Sequence, residues 1–164
     1  MPVLTPMIFI PLIGMAVILC LPSRAHGAIR WTAVAATVPP LFYAWKLLMA
    51  FSPSAEGYQF VEKVSWIPAY NIEYFVGLDG LSITMVLLTA LLSFLCMFAS
   101  FGITNGVKGY FALFLLLDTG MMGVFCALDF FLFFVFWEMM LLPMYFLIGV
   151  WGCLLYTSPS PRDS

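Results

Sequence analysis

Long apolar runs of about helix length alternate with short polar segments along most of the chain. Five such runs stand out, at residues 3–21, 31–51, 79–101, 109–127 and 130–152. A stretch of about 18 or more apolar residues is typical of a helix that crosses a bilayer. The pattern therefore predicts an all-α membrane protein with about five transmembrane helices.

One long polar segment separates the first two predicted helices from the last three. It mixes acidic residues with tyrosines and a tryptophan, a composition suited to a loop lying against the headgroup region. The segment has room for a short strand or hairpin, which the sequence does not place. The predicted organisation is two helices in 1–51, an extracytoplasmic loop in 52–78, three helices in 79–152 and a tail in 153–164.

Charges in the loops predict the orientation in the membrane. The loop after the first helix carries Arg24 and Arg30, and the loop after the third carries Lys108. Residues 52–78 hold three glutamates against one lysine, and the turn after the fourth helix carries Asp129. Because basic loops stay on the cytoplasmic side, the N-terminus is predicted outside and the end of the fifth helix inside.

Composition supports this class and excludes several functions. Hydrophobic residues make up 64% of the 164 residues and charged residues 9%, whereas a soluble domain carries about 25% charged residues. A net charge of −2 without a basic cluster argues against nucleic-acid binding. The four cysteines lack CxxC spacing and His26 is the single histidine, so we expect no metal and no redox cofactor in this chain.

Three carboxylates interrupt the apolar residues 109–152. Asp129 falls in the turn before the fifth helix and is predicted to cap it, as Asp79 is predicted to cap the third. Asp118 lies eleven residues before Asp129, and Glu138 lies nine after it. At about 1.5 Å per residue, both lie roughly 13–16 Å from the same membrane surface. The spacing predicts acids at matching depth near mid-bilayer, without deciding whether they face each other.

An acid held in lipid is costly and commonly marks a proton relay. Glu138 and Asp118 are therefore candidate proton-relay groups; the alternative is a protonated acid that only holds helices together. Tyr145, two turns after Glu138 on the same face, is a candidate lining residue of the path, with ordinary aromatic packing as the alternative. Pro143 cannot donate to the carbonyl of Met139, which leaves that carbonyl available to water.

Three segments resemble the antiporter-like M-type (mitochondrial subunit 4) membrane subunit of proton-pumping NADH:quinone oxidoreductase, complex I. They are FVGLDGLSITMVLLTALLSF, GYFALFLLLDTGMMGVF and LDFFLFFVFWEMMLLPMYFLIGVWG. The resemblance is strong over residues 75–152, whereas residues 1–50 match only in their hydrophobic plan. It implies that the chain is the N-terminal part of a larger antiporter-like helical bundle with two inverted five-helix repeats.

The same resemblance implies roles for residues and partners. Members of the family are thought to move protons, driven by redox chemistry in other subunits. NADH, flavin, iron–sulfur clusters and quinone are therefore expected in partner subunits, namely the rest of complex I. Glu138 matches a glutamate that the family pairs with a lysine from a later helix, and Asp118 matches an acidic position of the fourth helix. The expected location is a bacterial inner membrane rather than a mitochondrial one.

The last residues depart from the family. Residues 153–164, CLLYTSPSPRDS, are short, polar and rich in proline and serine, which predicts a non-native tail on an N-terminal fragment that does not pump alone. Two alternatives remain open. One is a homologous subunit of a multisubunit cation/proton antiporter or a membrane-bound hydrogenase. The other is a structural membrane scaffold.

Overall fold

The computed structural model describes residues 2–54 and 57–152, and within them five helices and one β-hairpin. In chain order the elements are α1 (Leu4–Cys20), α2 (His26–Ala50), β1 (Gln59–Ile67), β2 (Ile72–Leu78), α3 (Gly80–Ala99), α4 (Val107–Cys126) and α5 (Phe130–Trp151). Short 3-10 turns join β1 to β2 and extend α3. Residues 153–164, the predicted tail, lie outside the described residues.

The helices begin and end close to their predicted limits, except at the start of α2. This helix begins at His26 instead of residue 31, because the Ile29 amide already donates to the Ala25 carbonyl at 3.0 Å. Among the described helices, α2 to α5 are long and apolar enough to cross a membrane, and α1 is shorter at 17 residues. At about 1.5 Å per residue α1 is roughly 25 Å long, close to the ~30 Å of a hydrocarbon core.

The five helices alternate in direction, so that their ends gather on two sides. One end, here called the basic side, collects the loops with arginine and lysine. Three side chains tie these loops together by donating to backbone carbonyls: Arg30 to Ile103 at 2.9 Å, Lys108 to Leu21 at 2.9 Å and Trp151 to Asn105 at 2.6 Å. The arrangement agrees with the five helices predicted from the apolar runs, and the orientation in the membrane stays a prediction from the loop charges.

The opposite end, here called the hairpin side, carries the two strands that the sequence did not place. β1 pairs antiparallel with β2, and Asn71 takes a left-handed conformation (φ 54°) in the turn between them. The Lys63 ammonium pairs with the Glu73 carboxylate across the strands at 2.8 Å. The hairpin also contacts the α4–α5 turn, where the Leu128 amide donates to the Phe75 carbonyl at 2.8 Å.

Glu62 joins the hairpin to the beginning of α1. Its carboxylate accepts from the backbone amides of Leu4 at 2.7 Å and Thr5 at 3.1 Å, and from the Thr5 hydroxyl. A carboxylate at this position satisfies amides that the helix leaves unpaired and complements the helix dipole. The Tyr74 hydroxyl lies 3.0 Å from that of Thr5. Burial raises the pKa of Tyr74, against the opposing effect of the Thr5 hydrogen bond.

Small residues let the helices approach closely. A Cβ at Gly14 of α1 would lie 2.4 Å from the Cβ of Ala36 in α2. A Cβ at Gly123 of α4 would lie 2.3 Å from the Phe136 ring of α5. In a bilayer, where apolar burial drives helix association little, such close packing is a main source of stability. The positions of α1 against α2 and of α5 against α4 therefore depend on these glycines.

Candidate functional site

Asp118 lies midway along α4 on the face that the other helices enclose. Its side chain is 0% exposed. Leu115 and Met122, one turn to either side on the same face, are fully buried as well. An acid in such surroundings needs a hydrogen-bond donor, because burying an unpartnered polar group is costly.

The donor to Asp118 comes from α3. The Ser93 hydroxyl donates to Asp118 Oδ1 at 2.6 Å, and Ser93 is itself only 2% exposed. The second carboxyl oxygen, Oδ2, is buried and has no hydrogen-bond partner among the described residues. The site therefore consists of one satisfied and one unsatisfied oxygen of the same carboxyl group.

Asp79 begins the helix that presents Ser93. As predicted, its carboxylate caps α3, accepting from the amides of Leu81 at 3.0 Å and Ser82 at 2.6 Å. The hydrogen bond from the Ser82 amide holds the pKa of Asp79 below its usual range. From this start, α3 turns Val86, Ala90 and Ser93 toward the interior.

Glu138 occupies a different environment, on the exposed face of α5. This helix packs on α4 through Phe136, which contacts Gly123, and through Met140, which lies beside Gly120. Glu138 follows Phe136 by two residues and therefore points to the opposite side of the helix. The predicted cap at the beginning of α5 is confirmed, since Asp129 accepts from the Leu132 amide at 3.0 Å.

The two predicted relay acids do not face each other in the described part of the chain. Because Met140 lies beside Gly120, Asp118 lies about one helical turn farther from the Asp129 turn than Glu138 does. One acid is enclosed between α3 and α4, and the other is on the outer surface of α5. A proton could pass between Asp118 and Glu138 only through further groups that connect the inner face of α4 with the outer surface of α5.

Tyr145 lies on the same outer surface as Glu138. It is 74% exposed, and its ring packs edge-on against Phe146 with centroids 5.5 Å apart. Pro143, by contrast, is buried, and α5 continues through it to Trp151. The outer surface of α5 therefore carries one acid and one phenol that make no hydrogen bond within the described residues.

Sequence reasoning missed two residues that matter here. Ser93 is the donor to Asp118, and its signal was the pair Thr89 and Ser93, two polar residues spaced four apart within an apolar helix. Glu62 caps α1, yet it lies 58 residues from Leu4 in sequence. No local pattern connects Glu62 to α1, so only the folded chain brings the two together.

The described residues do not form a metal site of three or more His, Cys, Asp or Glu side chains. His26 is exposed at the first turn of α2, and Cys126 is buried in the core at the end of α4.

Comparison with curated proteins yields relatives that are named as chain 4 or subunit M of a quinone oxidoreductase. NADH-ubiquinone oxidoreductase chain 4 of Arabidopsis thaliana is 36% identical over 150 residues, covering 91% of this chain and 30% of that protein. NADH-quinone oxidoreductase subunit M of Rickettsia conorii is 35% identical over 158 residues, covering 93% and 32%. The chain thus spans under a third of the length of these relatives. No family model matches the chain.

Solved structures share the fold. Respiratory complex I from Thermus thermophilus with bound NADH matches with a TM-score of 0.74 at 23% identity, covering 90% of this chain and 29% of that one. The Mrp complex from Dietzia sp. matches with a TM-score of 0.67 at 23% identity, covering 99% and 16%. An archaeal membrane-bound sulfane sulfur reductase matches with a TM-score of 0.68 at 23% identity, covering 88% and 23%. These likenesses extend to the helical arrangement alone.

Proposed function

Because the chain is homologous over more than nine-tenths of its length to NADH-quinone oxidoreductase subunit M (chain 4), we propose that it contributes to proton translocation in a respiratory NADH:quinone oxidoreductase. Asp118 and Glu138 would act as proton-relay groups. The chain would carry no redox centre of its own. NADH, flavin, iron–sulfur clusters and quinone would belong to partner subunits.

The observation that carries this proposal is the enclosed carboxyl group of Asp118. It lies at mid-helix in a membrane-spanning segment, with one oxygen bonded to Ser93 at 2.6 Å and the other unpartnered among the described residues. A carboxyl group retained there at such a desolvation cost is typical of a group that binds and releases a proton. A purely structural bond would be made more cheaply by neutral side chains.

Glu138 and Tyr145 would join the relay from the outer surface of α5. Both are exposed in this chain, and an exposed acid at membrane depth needs a covering group of opposite charge or a water-filled cavity. The family resemblance implies a lysine from a later helix as the partner of Glu138. The other membrane subunits of the same complex are the proposed partners of the whole protein, and a bacterial inner membrane is the proposed location.

A chimera tests this function. Residues 2–152 of this chain would replace the homologous segment of subunit M in a bacterial NADH-quinone oxidoreductase. Proton uptake into inverted membrane vesicles and NADH-dependent quinone reduction are then measured side by side. We expect Glu138→Gln and Asp118→Asn to lower the number of protons moved per NADH oxidised, because neither amide can take up and release a proton.

The matched control is Leu142→Gln. Leu142 is exposed one turn after Glu138 on α5, so this variant adds the same amide to the same surface without removing an acid. It should pump like the unsubstituted chimera. Undiminished pumping by Glu138→Gln would remove Glu138 from the relay, and undiminished pumping by both acid variants would overturn the proposed function.

A structural scaffold is the second candidate, and the Ser93–Asp118 hydrogen bond is the observation that favours it. In that case the acid serves only to hold α3 against α4. Infrared spectra would then show the Asp118 carboxyl protonated and unchanged over the whole accessible pH range. A carboxyl band that appears and disappears with pH would favour the relay.

A further inference from the structure

The buried hydroxyl groups of the bundle fall into two kinds. Most of those that the structure describes donate to a backbone carbonyl of their own helix or its extension. These are Thr37 to Val34 at 2.8 Å, Thr89 to Met85 at 2.8 Å, Ser100 to Cys96 at 2.6 Å and Thr119 to Leu115 at 3.1 Å. This local bond is the usual solution for a serine or threonine in an apolar helix, because the acceptor is always within reach.

Among the buried hydroxyl groups of the described chain, the hydroxyl of Ser93 donates to a carboxyl group on another helix instead of a carbonyl of its own helix. It lies one turn after Thr89 on the same face of α3, and a carbonyl of its own helix would be available in the same way. The O···O distance to Asp118 is 2.6 Å, within the normal range of O–H···O hydrogen bonds. The geometry thus points to a specific pairing of this serine with this carboxyl group.

The pairing leaves the two Asp118 oxygens unequal. Oδ1 accepts from Ser93, whereas Oδ2 is buried and unpartnered among residues 2–54 and 57–152. A serine hydroxyl that donates to Oδ1 favours the proton on Oδ2, because the carbonyl oxygen of a protonated carboxyl group accepts a hydrogen bond better than its hydroxyl oxygen does. The open position on the carboxyl group is therefore Oδ2.

We propose that Ser93 is a positioning residue for proton exchange at Asp118: it holds Oδ1, so that Oδ2 takes up and releases the proton. This inference rests on the proposed function and deepens it. In the uptake step an O–H bond forms at Oδ2 and an O–H bond of a hydrated proton breaks, which leaves water and a neutral carboxylic acid. Ser93 keeps its own proton throughout and continues to donate to Oδ1, now the carbonyl oxygen of the acid.

Infrared spectroscopy of the full chain in lipid vesicles tests the assignment. Acidified samples show the C=O stretch of the protonated Asp118, which is identified by its loss in Asp118→Asn. A hydrogen bond accepted by a carbonyl oxygen lowers its stretching frequency. We therefore expect Ser93→Ala to shift the Asp118 band to higher frequency, and Ser93→Thr, which keeps the hydroxyl, to leave it near the original position.

Thr89→Val is the matched control. It removes a similarly buried hydroxyl from the same face of α3 with little change in shape, but that hydroxyl donates to the Met85 carbonyl. The Asp118 band should stay in place. Should Ser93→Ala fail to insert into vesicles, Ser93→Cys supplies a weaker donor of similar size and is expected to give a smaller shift in the same direction.

The outcomes separate this inference from the proposed function. An Asp118 band with the same frequency in Ser93→Ala, Ser93→Cys and the unsubstituted chain would overturn the role of Ser93 and leave a proton relay through Asp118 standing. Reduced pumping by Asp118→Asn in the chimera, together with an Asp118 band that does not shift in Ser93→Ala, would likewise reject the role of Ser93 and keep the relay through Asp118. Normal pumping by both Asp118→Asn and Glu138→Gln, together with a shifted Asp118 band in Ser93→Ala, would instead remove the proposed function and keep only a structural hydrogen bond.

Discussion

The α3–α4 interior and the outer surface of α5 each hold one acidic side chain, in opposite surroundings. Asp118 is completely enclosed and bonded to Ser93. Glu138 is exposed on α5 and shares its surface with Tyr145. Both acids interrupt apolar helices, yet only Asp118 has a hydrogen-bond donor to its side chain within the described chain.

The difference follows from how each helix is packed. α4 lies among α1, α2, α3 and α5, so that polar groups on its inner face can find hydrogen-bond partners within this chain, as Asp118 Oδ1 does with Ser93. α5 contacts α4 along one face, and its other face meets whatever surrounds the chain. The contacts of the enclosed acid are therefore decided by this chain, whereas the contacts of the exposed acid depend on what surrounds α5.

The largest effect is expected in the accessibility of the two regions. In a chain whose native cysteines are replaced by alanine, Tyr145→Cys and Glu138→Cys should react readily with a lipid-soluble maleimide. Asp118→Cys should react only when the bundle opens, because buried groups exchange through unfolding. Labelling is followed by mass spectrometry in vesicles. Similar labelling rates at positions 118 and 138 would refute the contrast between interior and outer surface.

The packing of α5 on α4 provides the second test. Gly123→Ala would place a Cβ 2.3 Å from the Phe136 ring, and overpacking of this kind costs about 1–3 kcal/mol. The free energy of unfolding is measured by denaturing-detergent titration in mixed micelles. Gly149→Ala is the control, since a Cβ at Gly149 meets nothing within 4 Å. Equal stability of the two variants would contradict the close contact between α4 and α5.

Glu62 tests whether the hairpin helps to enclose the interior by holding α1. Glu62→Ala removes the acceptor of the Leu4 and Thr5 amides, and loss of such a cap costs about 1–2 kcal/mol. Glu73→Ala, which removes only the solvent-accessible ion pair with Lys63, should cost about 0–1 kcal/mol in the same titration. If the two variants lose the same stability, the cap on α1 contributes nothing beyond a surface charge.

The cap of α3 by Asp79 should have the smallest effect on stability, and this effect should depend on pH. Because the Ser82 amide lowers the pKa of Asp79 in the folded chain, the cap stabilises α3 above the unfolded pKa. That contribution, about 1 kcal/mol for an N-cap, is lost as the pH falls below about 4 and through the folded pKa. Hydrogen exchange of the Leu81 and Ser82 amides measures it. Asp79→Asn should remove the pH dependence, whereas an unchanged profile would rule out this carboxylate as its source.

Much of the fold could be read from the sequence because the bilayer leaves few choices. Apolar runs of helix length, the caps at Asp79 and Asp129 and the alternation of loop charges predict the elements and their directions. The sequence does not place the hairpin, since most positions of its two strands are half-buried or exposed and give no clear alternation of apolar and polar residues. The start of α2 was set too late, since polar residues such as His26 and Arg30 continue a helix beyond its apolar part.

The sequence by itself determined that Asp118 and Glu138 lie well inside long apolar helices, because position along a helix follows from counting residues. The tertiary structure alone decided which of them is enclosed and which donor it receives. Those outcomes depend on the rotation of each helix about its axis and on contacts such as Gly123 with Phe136. The physical reason is that a bilayer specifies where a helix crosses, whereas side-chain packing specifies what each of its faces meets.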